Sequence, residues 1–175
     1  MTHRDIIDGW YPFTEEDISR YVSKGYWYHL TTGDLLDRNA ERFPDKLAFA
    51  DDVHEVTWRE VKQRSDRTAL GLHRLGVRYG DFFVLQLTNI LEFFYIFFGL
   101  NRLGAIPVMC ITRHRRVEVN HQVGLHRAKG IIVPVGEKFD FVGMVKEIRE
   151  DHPYLKIFLT AGGEAPPGWE SIEEL

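Results

Sequence analysis

A chain of 175 residues, 44% of them hydrophobic and twelve of them Phe, suffices for one domain or one piece of a larger one, and is too apolar to be disordered. Its formal charge of -4 gives no electrostatic basis for binding nucleic acid or an anionic membrane surface. Cys110, the only cysteine, excludes an internal disulfide and suits a reducing cytoplasm.

The first 30 residues read as an aromatic lead-in. MTHRDIIDGWYPF carries charge where a secretory signal needs an apolar core. Thr14 before Glu15, Glu16 and Asp17 predicts a short helix, with acids at the positive end of its dipole. A second helix is expected over residues 33–43, capped by Thr32 and stopped by Pro44. Residues 47–50 and 53–58 read as two short strands around a polar turn at Asp51 and Asp52. Thr57 and Glu60 form a capping box, and Val61, Ser65, Ala69, Leu72 and Leu75 follow at helical spacing, with Gly76 as the stop.

A strand over residues 82–87 leads into TNILEFFYIFFGLNRLGAIPV, a helix apolar almost all round, followed by a strand over 106–111. Such a helix needs protein on several sides, from this chain or from a second copy of it. Its apolar run is shorter than the ~20 residues that span a bilayer, and Glu92 interrupts it. Residues 117–127 form another amphipathic segment, 131–133 an apolar strand, 139–150 a helix ending before Pro153, and 155–159 a last strand. The remainder, AGGEAPPGWESIEEL, reads as a Gly/Pro-rich tail or linker. The fold class expected is therefore α/β, a mostly parallel sheet covered by helices on both faces. Residues 1–30 are the lead-in, 31–160 the α/β unit and 161–175 the tail.

Few residues form a pattern that carries chemistry. Gly71 and Gly76 have the glycine spacing of a phosphate loop, but Val77 and Arg78 stand where Lys and Ser/Thr are needed. The segment also ends a helix, where free carbonyls repel phosphate, so a helix cap is the reading. His114, His121 and His126 lack the spacing of four that aligns two ligands on one helical face, and read as surface histidines, not metal ligands. Asp51, Asp52 and Glu55 read as solvated turn residues, and Ser65 has no neighbouring base. Arg113-His114-Arg115-Arg116 follows the strand ending at 111, where a parallel sheet presents its binding crevice. These cations either hold a carboxylate or phosphate, or form a solvated helix start paired with Glu118. No complete catalytic or metal constellation results.

TTGDLLDRNAERFPDKLAFA, VTWREV, LQLTNILEFFYIFFGLNRLGAIPV and KGIIVP together resemble the opening of the adenylate-forming enzymes, the acyl-CoA synthetase, aryl-acid ligase and adenylation-domain superfamily. Leu87, Asn89, Glu92, Phe93, Arg102, Gly104 and Ala105 stand at that family's recurrent places. The GYWYH lead-in, Glu92-Phe93-Phe94, and Pro107 followed by His114-Arg115 are most similar to aryl-acid AMP ligases of the 2,3-dihydroxybenzoate type, which serve siderophore biosynthesis. Thr112 and Arg113 depart from the Pro-like turn usual after this strand. The resemblance implies ATP-dependent activation of a carboxylic acid to an acyl-adenylate, with magnesium, then transfer to the thiol of CoA or a carrier protein. It also implies that these residues are the N-terminal portion of the large adenylating domain, as a shortened piece or the product of a split or decayed gene. The phosphate loop and C-terminal lid lie outside the 175 residues, so no catalytic residue carries over and neither ATP nor magnesium is expected to bind tightly. The remainder of the enzyme is the implied partner. His114 and Arg115 are the candidates for the substrate side. The competing expectation is a non-catalytic α/β interaction or small-molecule-binding module.

Overall fold

Residues 12–175 are described by the structure, a computed structural model; residues 1–11, most of the segment read against a secretory signal, lie outside them. Thr14 caps α1 (Glu15–Ser23) through a bond from the Asp17 N–H. The cap of α2 (Thr32–Arg42) is Thr31, one residue earlier than expected. Asp34, three residues beyond Thr31, explains the shift: it donates its N–H to the Thr31 hydroxyl and accepts the Thr31 N–H in return. Strands β1 (Leu47–Ala50) and β2 (Glu55–Thr57) form an antiparallel hairpin. Asp51 closes it by accepting the N–H groups of Val53 and His54, which leaves β2 shorter than its apolar pattern suggested. The Thr57–Glu60 capping box forms and starts α3 (Trp58–Arg74). Gly76, at φ 99°, ends that turn, and so has the cap role read from its position.

Strands β3 (Phe82–Leu85), β4 (Ile106–Met109), β5 (Gly130–Pro134), β6 (Ile157–Ala161) and β7 (Glu170–Ser171) form one parallel sheet in the order β4-β3-β5-β6-β7. Helices α4 (Leu91–Arg102), α5 (Arg116–His126) and α6 (Phe141–Asp151) connect them. Alternate strand residues feed opposite faces. Phe83, Leu85, Ile132 and Leu159 meet Leu72, Ile96 and Leu100 of α3 and α4, while Val84, Ile131, Val133 and Phe158 meet Val119, Val123, Met144 and Ile148 of α5 and α6. Both faces are thus covered, as the alternation of helix and strand implies.

The apolar helix α4 has no exposed residue. Ile96 and Leu100 enter the sheet-side core, whereas Leu91 and Tyr95 join Leu36, Val56 and Val61 from α2, the hairpin and α3. Phe94 stacks on Phe49 of the hairpin, ring centroids 3.7 Å apart. The cover that this helix demands comes from the chain itself. Among the described residues no helix is long and apolar enough to cross a membrane.

The segment 161–175 differs from the expected tail. Glu170 and Ser171 pair with Leu159 and Thr160, Ile172–Glu174 form a 3-10 turn, and Ile172 is buried. Two apolar anchors explain this: Trp169 packs on Phe158 on one face of the sheet, and Ile172 enters the core on the other. Leu175 lies over Gly71, whose missing side chain leaves it room.

Candidate functional site

Strand order reverses between β3 and β5: β3 connects through α4 to one neighbour, and β5 through α6 to the other. In open α/β sheets, binding crevices lie beyond the carboxyl ends of strands near such a reversal. A crevice of about 400 Å³ opens off the ends of β3 and β4. Leu87, Ile90, Phe93 and Phe94 form one wall, Met109 and Ile111 the opposite one, and Asp51 with Asn89 the polar rim. The Val53 and His54 N–H groups hold the Asp51 carboxyl below its ordinary range, so it is anionic at neutral pH. An apolar crevice with a fixed anion on its rim suits an uncharged or cationic group. It repels phosphate.

The loop after β4 is tied down by Gln86, which is fully buried at the end of β3. Its Nε2 donates to the carbonyls of Ile111 and His114, at 3.1 and 3.0 Å, so one amide holds both ends of the turn. Sequence reading passed over this residue; the available signal is one amide inside the apolar run FFVLQL. Replacing Gln86 with Leu keeps the volume and removes both bonds, for a cost of about 1–2 kcal/mol. Amide exchange should then quicken across residues 110–118 and stay unchanged in α3. Unchanged exchange in that loop would contradict the role assigned to Gln86.

His114 and Arg115 lie on this loop but do not line the crevice. Arg115 donates from Nη1 to the carbonyls of Thr112 (2.6 Å) and His114 (3.0 Å), its guanidinium stacks over Phe139 at 4.2 Å, and its N–H is accepted by Glu118, which starts α5. Glu118 therefore caps the helix start through a backbone N–H, and among the described residues no cation forms an ion pair with it. Arg116 turns away to Glu147 and Asp151, at 3.2 Å each. A shallower depression of about 430 Å³ beside Arg115 is lined by Arg116, Phe139, Asp140 and Glu147, with charges of both signs.

The other candidates stay apart. His121 is exposed, and His126 Nδ1 donates to the Gln122 carbonyl at 3.0 Å. Among the described residues no three His, Cys, Asp or Glu side chains converge on a point where a metal ion could sit. Ser65 is buried between helices and no titratable group bonds it. Cys110 lines the crevice as a buried thiol, and that burial raises its pKa and keeps it protonated.

The crevice wall α4 is anchored at its far end by Arg102. Its Nη1 and Nη2 donate to Asp37 Oδ2 and Oδ1 of α2 at 2.7 and 2.5 Å. Its Nε lies 2.6 Å from Asp66 of α3, a contact whose N–H is not aligned for a hydrogen bond. Lys62 bridges the same two carboxylates at 3.2 and 2.6 Å. Three helices thus meet at one guanidinium.

The same architecture occurs in known proteins. The chain is 37% identical over 166 residues to a salicyl-AMP ligase / salicyl-S-ArCP synthetase of Mycobacterium tuberculosis, covering 91% of this chain and 29% of that one. It is 34% identical over 158 residues to a 2,3-dihydroxybenzoate-AMP ligase of Bacillus subtilis, covering 90% and 29%. The apo structure of Mycobacterium smegmatis MbtA superposes with a TM-score of 0.88 at 32% identity, covering 97% of this chain and 31% of that one. The chain therefore spans under a third of the length of the relatives it matches. The family described as AMP-binding enzyme matches residues 36–174. On that match, the aryl-acid ligase relatives and the shared fold, this chain belongs to the AMP-binding enzyme family.

Proposed function

We propose that this chain forms the N-terminal part of the large domain of a carboxylate–AMP ligase that activates an aryl acid with ATP and passes it to a thiol. The observation that carries the reading is the 37% identity, over 91% of the chain, to a protein named as a salicyl-AMP ligase. A siderophore-type aryl acid, such as salicylate or 2,3-dihydroxybenzoate, is the substrate class we assign, from the names of the relatives. A carrier-protein thiol is the acceptor we favour over CoA, since the first relative's name includes an ArCP thioester product. The cytoplasm is the compartment that the single cysteine favours.

ATP with magnesium is the co-substrate of such an enzyme, supplying the phosphorus centre that the carboxylate attacks. The residues described do not fit that pair. The crevice carries a fixed anion at Asp51 and no cation, and no acidic cluster stands ready for a metal ion. The cations that offset charge on the transferred phosphate must come from elsewhere in the enzyme. This part contributes a wall: α4, the hairpin and the loop held by Gln86. His114 and Arg115 are our candidates for the substrate side of that wall, because their loop follows the carboxyl end of β4. With its guanidinium occupied by carbonyls and the Phe139 ring, Arg115 shapes the loop, and His114, whose buried Nδ1 has no hydrogen-bond partner, is the side chain we assign to the substrate.

The 175-residue polypeptide, assayed by itself with salicylate or 2,3-dihydroxybenzoate, should show no acid-dependent ATP–pyrophosphate exchange. Exchange above the no-acid background would overturn the assignment of the phosphate-handling groups to other parts of the enzyme.

A further inference from the structure

Residues 12–31 hold five aromatic side chains, Phe13, Tyr21, Tyr26, Trp27 and Tyr28, and none is buried. Their rings pack on one another: Phe13 meets Trp27 edge-on at 4.7 Å, and Tyr21 lies 4.9 Å from Trp27. Helix α1 buries no residue, residues 23–31 are all exposed, and no member of the segment joins the three buried clusters. Residues 169–172 behave otherwise, since Trp169 and Ile172 anchor that segment on the two faces of the sheet. A helix of 9 residues is too short to hold in water without tertiary packing.

The segment borders a groove of about 610 Å³, which Tyr26, Trp27, Tyr28 and Leu30 line together with Leu35 and Arg38 of α2. Helix α2 turns Gly33, Leu36 and Ala40 into the core, so Leu35 and Arg38 lie on a second, exposed face. Tyr26 and Tyr28 are 68% and 75% exposed. Tyr, Trp and Arg carry most of the binding energy where proteins meet. Arg38 makes no ion pair among the described residues. The groove therefore fits a segment with apolar side chains for the rings and a carboxylate for Arg38.

We infer that this aromatic face docks the polypeptide that makes up the rest of the same enzyme. The inference rests on the reading of this chain as the N-terminal part of a ligase. The Bacillus subtilis relative is matched over 90% of this chain and 29% of its own length, so most of such an enzyme stands beside this unit. The sheet is already covered on both faces by its own helices, which leaves margins such as this one for the contact. A tethered partner acts at a roughly millimolar effective concentration, which favours it over a second copy.

Hydrogen exchange read by mass spectrometry compares the 175-residue chain with a chimera that carries it in place of the matched segment of that ligase. In the chain alone, amides 13–31 should show little protection at every protein concentration. Tyr26→Asp combined with Tyr28→Asp should leave its urea midpoint unchanged. In the chimera the same amides should slow by about a hundredfold. There the tyrosine pair of substitutions, and Arg38→Gln, should each lower the midpoint. Equal exchange in the two proteins would overturn the inference. So would slowing in the chain alone as its concentration rises, which assigns the face to a second copy. A midpoint of the chain alone that falls with the tyrosine pair would also overturn it, and that result does not need the chimera to fold. Pyrophosphate exchange by the same chimera reads the ligase assignment separately. An active chimera with residues 13–31 unprotected refutes the docking alone, and protection without activity refutes the ligase assignment alone.

Discussion

Replacing Gly130 with alanine is expected to destabilise the fold by about 3 kcal/mol, at the upper end of the cost of overpacking a core. Gly130 opens β5 opposite Phe83 of β3, and a Cβ built there lies 2.1 Å from Phe83 Cε2 and 2.7 Å from Cδ2 and Cζ. Phe83 is fully buried among Leu72, Leu85 and Ile96, so its ring has nowhere to turn. Both strands are fixed by the parallel ladder, so the backbone cannot yield locally. Gly33→Ala makes the useful contrast: within α2 its Cβ would lie 3.6 Å from Thr31 Oγ1 and 3.8 Å from Arg102 Nη1, which is ordinary contact. That substitution should cost less than about 1 kcal/mol. Urea unfolding reads both through the midpoint, with the slope unchanged. A Gly130→Ala midpoint no lower than that of Gly33→Ala would contradict the packing described.

Arg102→Ala should cost about 2 kcal/mol, because it removes the guanidinium and leaves Lys62 alone to offset the Asp37 and Asp66 carboxylates of α2 and α3. Breaking a fully buried pair costs ~3–5 kcal/mol; the lower figure applies here because the Asp37 side chain is 43% exposed and solvent screens it. The same pair sets an acid limit. The hydrogen bonds from Arg102, with Lys62 adding to them, lower the Asp37 pKa to about 2, against ~3.9 in an unfolded chain. A carboxyl depressed by folding contributes stability that is complete above the unfolded pKa and is lost as pH falls through the folded one. Its contribution should therefore fade between about pH 4 and pH 2. Asp37→Asn, which does not titrate, should be less stable at pH 7 and should approach the parent near pH 2. Parallel curves for the two proteins from pH 4 to pH 2 would contradict the assignment.

Where one local rule determines an element, the sequence was a sufficient guide. Thr57 with Glu60, Gly76 after Leu75, and the all-round apolar character of α4 each have one physical reading, and each is found in the fold. Thr31 and Thr32 compete for one cap, and only the position of Asp34 decides between them. Strand β7 has two residues, too few for a period, and forms because Trp169 and Ile172 find apolar surface on opposite faces of a sheet built earlier in the chain. The crevice was legible only by rule, as a place beyond strand ends. Its walls bring residue 51 together with 87–94 and 109–111, a proximity that no local pattern encodes. Gln86 escaped notice for the same reason, since its partners are 25 and 28 residues away. The arginines after β4 drew attention by charge, yet Arg115 and Arg116 are engaged by carbonyls and by acids of α6. A cluster in sequence is not a cluster in space.

We propose that this chain supplies the N-terminal wall of an aryl-acid AMP ligase. The most direct test exchanges this chain for the matched segment of the Bacillus subtilis 2,3-dihydroxybenzoate-AMP ligase, to which it is 34% identical. The measurement is acid-dependent ATP–pyrophosphate exchange by the purified chimera. Exchange that requires 2,3-dihydroxybenzoate or salicylate is the predicted result. A folded, monodisperse chimera without such exchange would contradict the claim.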